Sequence, residues 1–111
     1  MSRGILSLIF PQKCAFCGKL TAAGENGCCR ACRRTLPYTD GILHLTHSAA
    51  LSRCASPLYY TGPVRSAILR FKFGGRPELA STFSIFVADE AERAFGPEFD
   101  LVTYVPVSSA R

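Results

Sequence analysis

Two Cys-x-x-Cys pairs, Cys14-Ala15-Phe16-Cys17 and Cys29-Arg30-Ala31-Cys32, stand eleven residues apart. A tetrahedral zinc ion takes four soft donors at about 2.3 Å. One such turn aims two sulfurs at one ion, and a second turn completes the shell. Gly18 follows the first pair and supplies a residue that tolerates positive φ. Arg33 and Arg34 follow the second and put positive charge beside a four-thiolate site of net negative charge. The pattern reads as one structural zinc site, a knuckle or ribbon, held by Cys14, Cys17, Cys29 and Cys32. Cys28 adjoins Cys29, so the register has an alternative. Cys28 to Cys32 is a three-residue spacing that zinc also accepts, whereas Cys29 keeps the two-residue spacing and is preferred.

That site decides how the first third of the chain can fold. With four cysteines committed to metal, residues 13–36 have few apolar side chains left, and a module that small needs a staple. The rest of the 111 residues is richer in Leu, Ile, Val and Phe. The length suits one domain, or one small module plus part of another. Six cysteines in a short chain would also fit a disulfide scaffold, but the N-terminus is a poor signal peptide. Gly4–Phe10 is a short apolar run that meets Pro11 without a small-residue cleavage site. It is too short to span a bilayer. A cytoplasmic zinc protein without membrane insertion follows. The net charge of +5 permits contact with nucleic acid or phosphorylated ligands without requiring it.

Residues 4–10 read as a short amphipathic helix, with Ile5, Leu6, Ile9 and Phe10 at helical spacing and Pro11 closing it. Thr21–Gly27 is the polar loop between the cysteine pairs, and a short turn of helix after Cys32 ends at Pro37. Residues 37–53 carry little pattern. His44 and His47 read as loop histidines, because the four-sulfur shell is already full. Cys54 reads as a small core residue. Ser56–Thr61 reads as a strand. Gly62-Pro63 then opens a helix with Val64, Ile68 and Phe71 on one stripe, Arg65, Arg70 and Lys72 off it, and Gly74-Gly75 at its end. A second helix begins near Pro77, with Leu79, Phe83, Phe86, Val87 and Phe95 at helical spacing and Gly96-Pro97 as its stop. Leu101–Val105 is apolar and β-rich, as in a strand buried on both faces of a parallel sheet. One such strand cannot stand alone. The fold class is therefore α+β passing to α/β: an N-terminal helix and zinc ribbon over 1–53, then the truncated start of a second domain over 54–111.

The order of these parts carries a resemblance. An apolar N-terminal helix ends in Phe10-Pro11, a Cys-x-x-Cys-Gly knuckle and a second Cys-x-x-Cys follow, then Pro57-Leu-Tyr-Tyr-Thr-Gly-Pro-Val-Arg-Ser-Ala-Ile-Leu-Arg-Phe-Lys-Phe-Gly-Gly75, and later Val105-Pro-Val-Ser-Ser-Ala-Arg111. This resembles the ComF family of competence proteins, phosphoribosyltransferase-like proteins of bacteria. The resemblance covers nearly the whole chain, and Pro57–Gly75 is its most specific part. It implies a type I phosphoribosyltransferase-like α/β domain after the ribbon. It also implies a cytoplasmic role in uptake of transforming DNA beside a helicase-like partner. Val105–Arg111 would end the first core strand and open the loop facing the pyrophosphate of phosphoribosyl pyrophosphate, with Ser108, Ser109 and Arg111 as its first residues. Many members carry a second set of zinc cysteines; only Cys54 remains in that region, which implies a single zinc. The family's acidic pair and Thr-Thr-Gly-x-Thr loop are absent. Those groups hold the ribose hydroxyls, partly through magnesium, and the 5-phosphate. Pyrophosphate displacement depends on such positioning and charge neutralisation. This chain alone is expected to be inactive, with no catalytic residue; phosphoribosyl pyrophosphate and magnesium belong only to a full-length protein.

A non-enzymatic reading stands beside this one: a zinc-ribbon module that binds single-stranded DNA or a protein partner. Lys13, Lys19, Arg30, Arg33 and Arg34 surround the site, and basic and aromatic residues alternate through Leu69–Arg76. Single-strand binders combine these two residue types. The simpler account of that segment is core phenylalanines with solvated cations. Thioredoxin-like redox chemistry is disfavoured, because such motifs follow a strand in a βαβ unit.

Overall fold

The computed structural model describes residues 9–44, 49–97 and 99–106, without the side chains of Leu43 and His44. Its elements are α1 (Arg30–Thr35), β1 (Leu43–His44), β2 (Arg53–Cys54), α2 (Gly62–Phe73) and α3 (Leu79–Phe95).

Local chemistry sets the helix ends. Pro63 sits in the first turn of α2, where a missing N–H costs nothing. At its other end the Gly74 N–H donates to the Arg70 carbonyl. α3 ends where Gly96 takes a φ of 58°, which a β-carbon disfavours, and its N–H closes on Glu92. Both helices match their expected positions. The face of α3 that is buried runs Leu79, Thr82, Phe86, Glu90 and Ala94. Val87, expected on the apolar stripe, is exposed instead. Glu90 is tolerated inside because Arg93 grips it with two hydrogen bonds, at 2.6 and 3.0 Å.

Two expected strands differ. Within Ser56–Thr61 only Leu58 pairs, antiparallel to Tyr38. Flanking bonds run from Tyr59 N–H to the Pro37 carbonyl at 2.8 Å and from Thr39 N–H to the Pro57 carbonyl at 3.2 Å. Pro37 and Pro57 have no N–H to extend that ladder. The regular pairing lies earlier, with Leu43 opposite Cys54 and His44 opposite Arg53. Leu101–Val105 forms no strand, and its Val105 side chain is 89% exposed. A strand needs a neighbour for its N–H and C=O groups, and none of the described residues supplies one. The two-stranded β1–β2 sheet is the only one among them. Residues 4–8 of the expected N-terminal helix lie outside the described residues, and Ile9 and Phe10 are exposed.

One core joins the first cysteine pair to both long helices. Cys14, Ala15, Phe16 and Cys28 pack with Leu36, with Val64 and Ala67 of α2, and with Leu79 and Phe86 of α3. Phe16 lies at its centre, 6% exposed. Its ring meets Phe83 and Phe86 edge-on, at centroid distances of 6.3 and 5.8 Å. Phe83 in turn meets Phe71 of α2 at 5.5 Å. Edge-to-face rings gain beyond the area they bury. Phe16 therefore ties the metal module to the helices. Phe16→Ala should lower the unfolding free energy in urea by about 3–5 kcal/mol. Phe73→Ala, at a side chain 76% exposed, should stay within about 0.5 kcal/mol of the parent. Equal effects from the two variants would remove Phe16 from its central place.

Candidate metal centre

The first cysteine pair sits on a tight hairpin. Lys13 and Leu20 form an antiparallel bridge, and the Cys14 N–H donates to the Lys19 carbonyl at 2.7 Å. Gly18 turns the chain at φ 74°, and its N–H returns to the Cys14 carbonyl at 2.9 Å. The second pair sits at a helix start. Cys29 is the N-cap of α1, and its Sγ accepts the Cys32 N–H at 3.5 Å. One bond between backbones holds the two turns together: Ala15 N–H to the Gly27 carbonyl at 2.8 Å.

The sulfur atoms of Cys14, Cys17, Cys29 and Cys32 all lie within 4.8 Å of one another. Cys17 Sγ and Cys29 Sγ are 3.7 Å apart. A tetrahedron with arms of about 2.3 Å has edges of about 3.8 Å, so the donors are set for zinc. Cys28 is not one of the four. It is 0% exposed and packs in the core one residue before Cys29.

The thiols respond to this crowding in opposite directions. Burial pushes the Cys14 thiol up, but N–H groups of Cys17, Cys29 and Phe16 outweigh it and bring the value down to about 6. Burial pushes Cys28 up to about 11, and the charge on Cys14 adds to this. Cys32 is raised by burial and then by the sulfurs of Cys17, Cys29 and Cys14. Several sulfurs at this spacing cannot all carry charge without a cation among them.

Three residues that the sequence reading passed over hold the site. Glu25 lies in the polar loop, and its carboxylate accepts Ala22 N–H at 2.7 Å and Arg30 N–H at 2.9 Å. It closes the loop and meets the first residue of α1, where negative charge is favoured. These backbone donors hold its carboxyl below the usual range. An acid just ahead of a short helix is the signal by which it could have been found. Gly27 has a φ of 78°, and a β-carbon there would meet Thr82 Oγ1 of α3 at 2.0 Å. Arg70 of α2 donates from Nη2 to the Ala15 carbonyl, between the first two ligands. Arg33, expected to offset thiolate charge, lies over the Phe86 ring at 5.4 Å.

The remaining expected site residues are not gathered here. Cys54 is exposed on β2, not a core residue, because its strand pairs at the surface with Leu43. His44 lies on β1. His47, Ser108, Ser109 and Arg111 lie outside the described residues. No helix among the described residues is long and apolar enough to cross a membrane.

Residues 5–43 match a family described as Double zinc ribbon domain. The four cysteines are thus those of a structural zinc ribbon. A single cluster of four metal-binding side chains occurs among the described residues, in keeping with one zinc. No curated protein and no solved structure matches the chain.

Zinc affinity should fall as pH falls, because protons compete for the thiolates. The fall should steepen by about one log unit per pH unit below about 6, where Cys14 also takes a proton in the metal-free protein. A competition titration from pH 8 to 5 reads this, and a constant slope would contradict it. Glu25→Gln should lower the thermal midpoint of the zinc form. Its deficit should shrink as pH falls through the carboxylate range, since a depressed carboxyl stabilises only while ionised. A deficit that stays constant with pH would assign Glu25 another role.

Proposed function

We propose that the chain is the zinc-bearing N-terminal portion of a ComF-like protein related to the phosphoribosyltransferases, acting in the cytoplasm in uptake of transforming DNA. The zinc ribbon is structural in this reading. The observation that carries it is the placing of the most family-specific segment. The Pro57–Gly75 segment supplies α2, which packs on the first knuckle through Val64, Ala67 and Arg70. The resemblance implies a ribbon that leads into a following domain, and this packing fits such an order. In a full-length protein, Ser108, Ser109 and Arg111 would open the loop that faces pyrophosphate, and phosphoribosyl pyrophosphate with magnesium would bind beyond it. Any helicase-like partner would meet the ribbon or its basic surroundings. Deleting the gene should lower the frequency of transformation by added DNA at least about tenfold, with growth unchanged. Undiminished transformation would sink this reading.

Charge distribution favours a second role alongside the first, in contact with single-stranded DNA. Residues 1–76 contain eleven Lys and Arg against Glu25 and Asp40 alone. Residues 77–111 contain two Lys and Arg against six acidic residues. On α2, Arg65, Lys72 and Phe73 are exposed. Cations that track phosphates beside an aromatic face suit a single strand. A fluorescent oligonucleotide should bind at low salt and weaken linearly as log salt rises. No binding at low salt would end the idea.

A further inference from the structure

We propose that Cys17 is the oxidisable edge of the zinc ribbon: hydroperoxide attacks it first and drives it into a disulfide with Cys29, and the metal is released. The inference rests on the four-cysteine zinc reading above.

Three observations single out Cys17. It is the exposed ligand, whereas Cys14 is buried and Cys29 and Cys32 are half-buried. Its sulfur, like that of half-buried Cys32, also lacks the backbone donor that the other two ligands have. Cys14 Sγ accepts the Cys29 N–H and Cys29 Sγ accepts the Cys32 N–H, each at 3.5 Å. Such donors withdraw charge from a thiolate. Among the described residues no backbone N–H is bonded to Cys17 Sγ, whose close neighbours are the other sulfurs. Finally, its flank is uncrowded. The next residue is Gly18, and no atom beyond that glycine's chain neighbours lies within 4 Å of where its side chain would begin.

The chemistry balances with hydroperoxide as the two-electron oxidant. The Cys17 thiolate attacks one peroxide oxygen, the O–O bond breaks, and hydroxide leaves and takes a proton as water. The Cys17 sulfenic acid is then attacked by the Cys29 thiolate. The S–S bond forms as the S–O bond breaks, and the second hydroxide also leaves as water. The two sulfurs start 3.7 Å apart and close to about 2.05 Å. With both consumed, only two ligands remain for the metal. Cys28, sealed in the core, takes no part, and Cys54 is exposed but outside the cluster.

The full chain carrying Cys54→Ser is purified, and its zinc is measured by elemental analysis. It is then treated with limiting N-ethylmaleimide or with hydrogen peroxide, and a chromogenic chelator follows zinc release. Tryptic peptides 14–19 and 20–30 are mapped by mass spectrometry. The expected first adduct is on Cys17, on the order of tenfold faster than on the other three ligands, with zinc lost in step. Peroxide should join peptide 14–19 to peptide 20–30 through Cys17 and Cys29. A zinc-loaded chain whose first adduct is elsewhere, or whose disulfide joins another pair, overturns this inference alone. A chain that purifies without zinc overturns the metal reading and the inference with it.

Discussion

Four sulfur atoms held within 4.8 Å of one another impose the condition that the rest of this protein meets. As thiols they are an awkward cluster of weak donors; as thiolates they repel. A dication resolves both problems and fixes the two turns that carry them. Once fixed, the first turn presents Phe16 outward from the metal into the space between α2 and α3. The usual division between a metal module and a hydrophobic core does not apply, because one phenylalanine between two ligands belongs to both. The metal organises a small loop, and the loop then supplies the central ring around which two long helices pack.

The helices lean back on the site in return. Arg70 reaches from α2 to a carbonyl between Cys14 and Cys17, and Thr82 of α3 lies against Gly27 beside the second pair. Arg33, on the short helix that carries Cys32, lies over Phe86 of α3. These contacts cross between elements far apart in the chain, so losing the metal would unseat the helices as well as the knuckles. Strength of this kind is cooperative and is shared among groups that are individually modest.

Much of this was legible in the residues. Cysteine spacing pointed to the four sulfurs that the fold gathers, and glycine and proline marked the ends of α2 and α3, because both signals are local. The strands were less legible. Pro-Leu-Tyr-Tyr-Thr has β-rich composition, yet two prolines limit it to one bridge. Leu101–Val105 has the composition of a buried strand, but pairing depends on a neighbour, which composition does not encode. Gly27 and Arg70 were passed over for a related reason. Each acts across the fold on a residue more than fifty positions away, and neither the turn nor the helix stripe reveals the partner. Glu25 lay within reach of local reasoning and was hidden by a loop that looked merely polar.

The segment from Gly27 to Cys29 is constrained on three sides. The Gly27 carbonyl receives Ala15, its α-carbon abuts Thr82, and Cys28 is sealed into the core one step before a ligand. The segment before it is less crowded: nothing lies within 4 Å of where a β-carbon at Gly24 would sit, though its φ of 87° still favours glycine. The loop joining the cysteine pairs therefore has a half closed on itself, by Glu25 on Ala22, and a half locked against the rest of the fold. The three residues that end the loop should keep their number, because a one-residue change there would turn Cys28 toward the metal and Cys29 into the core.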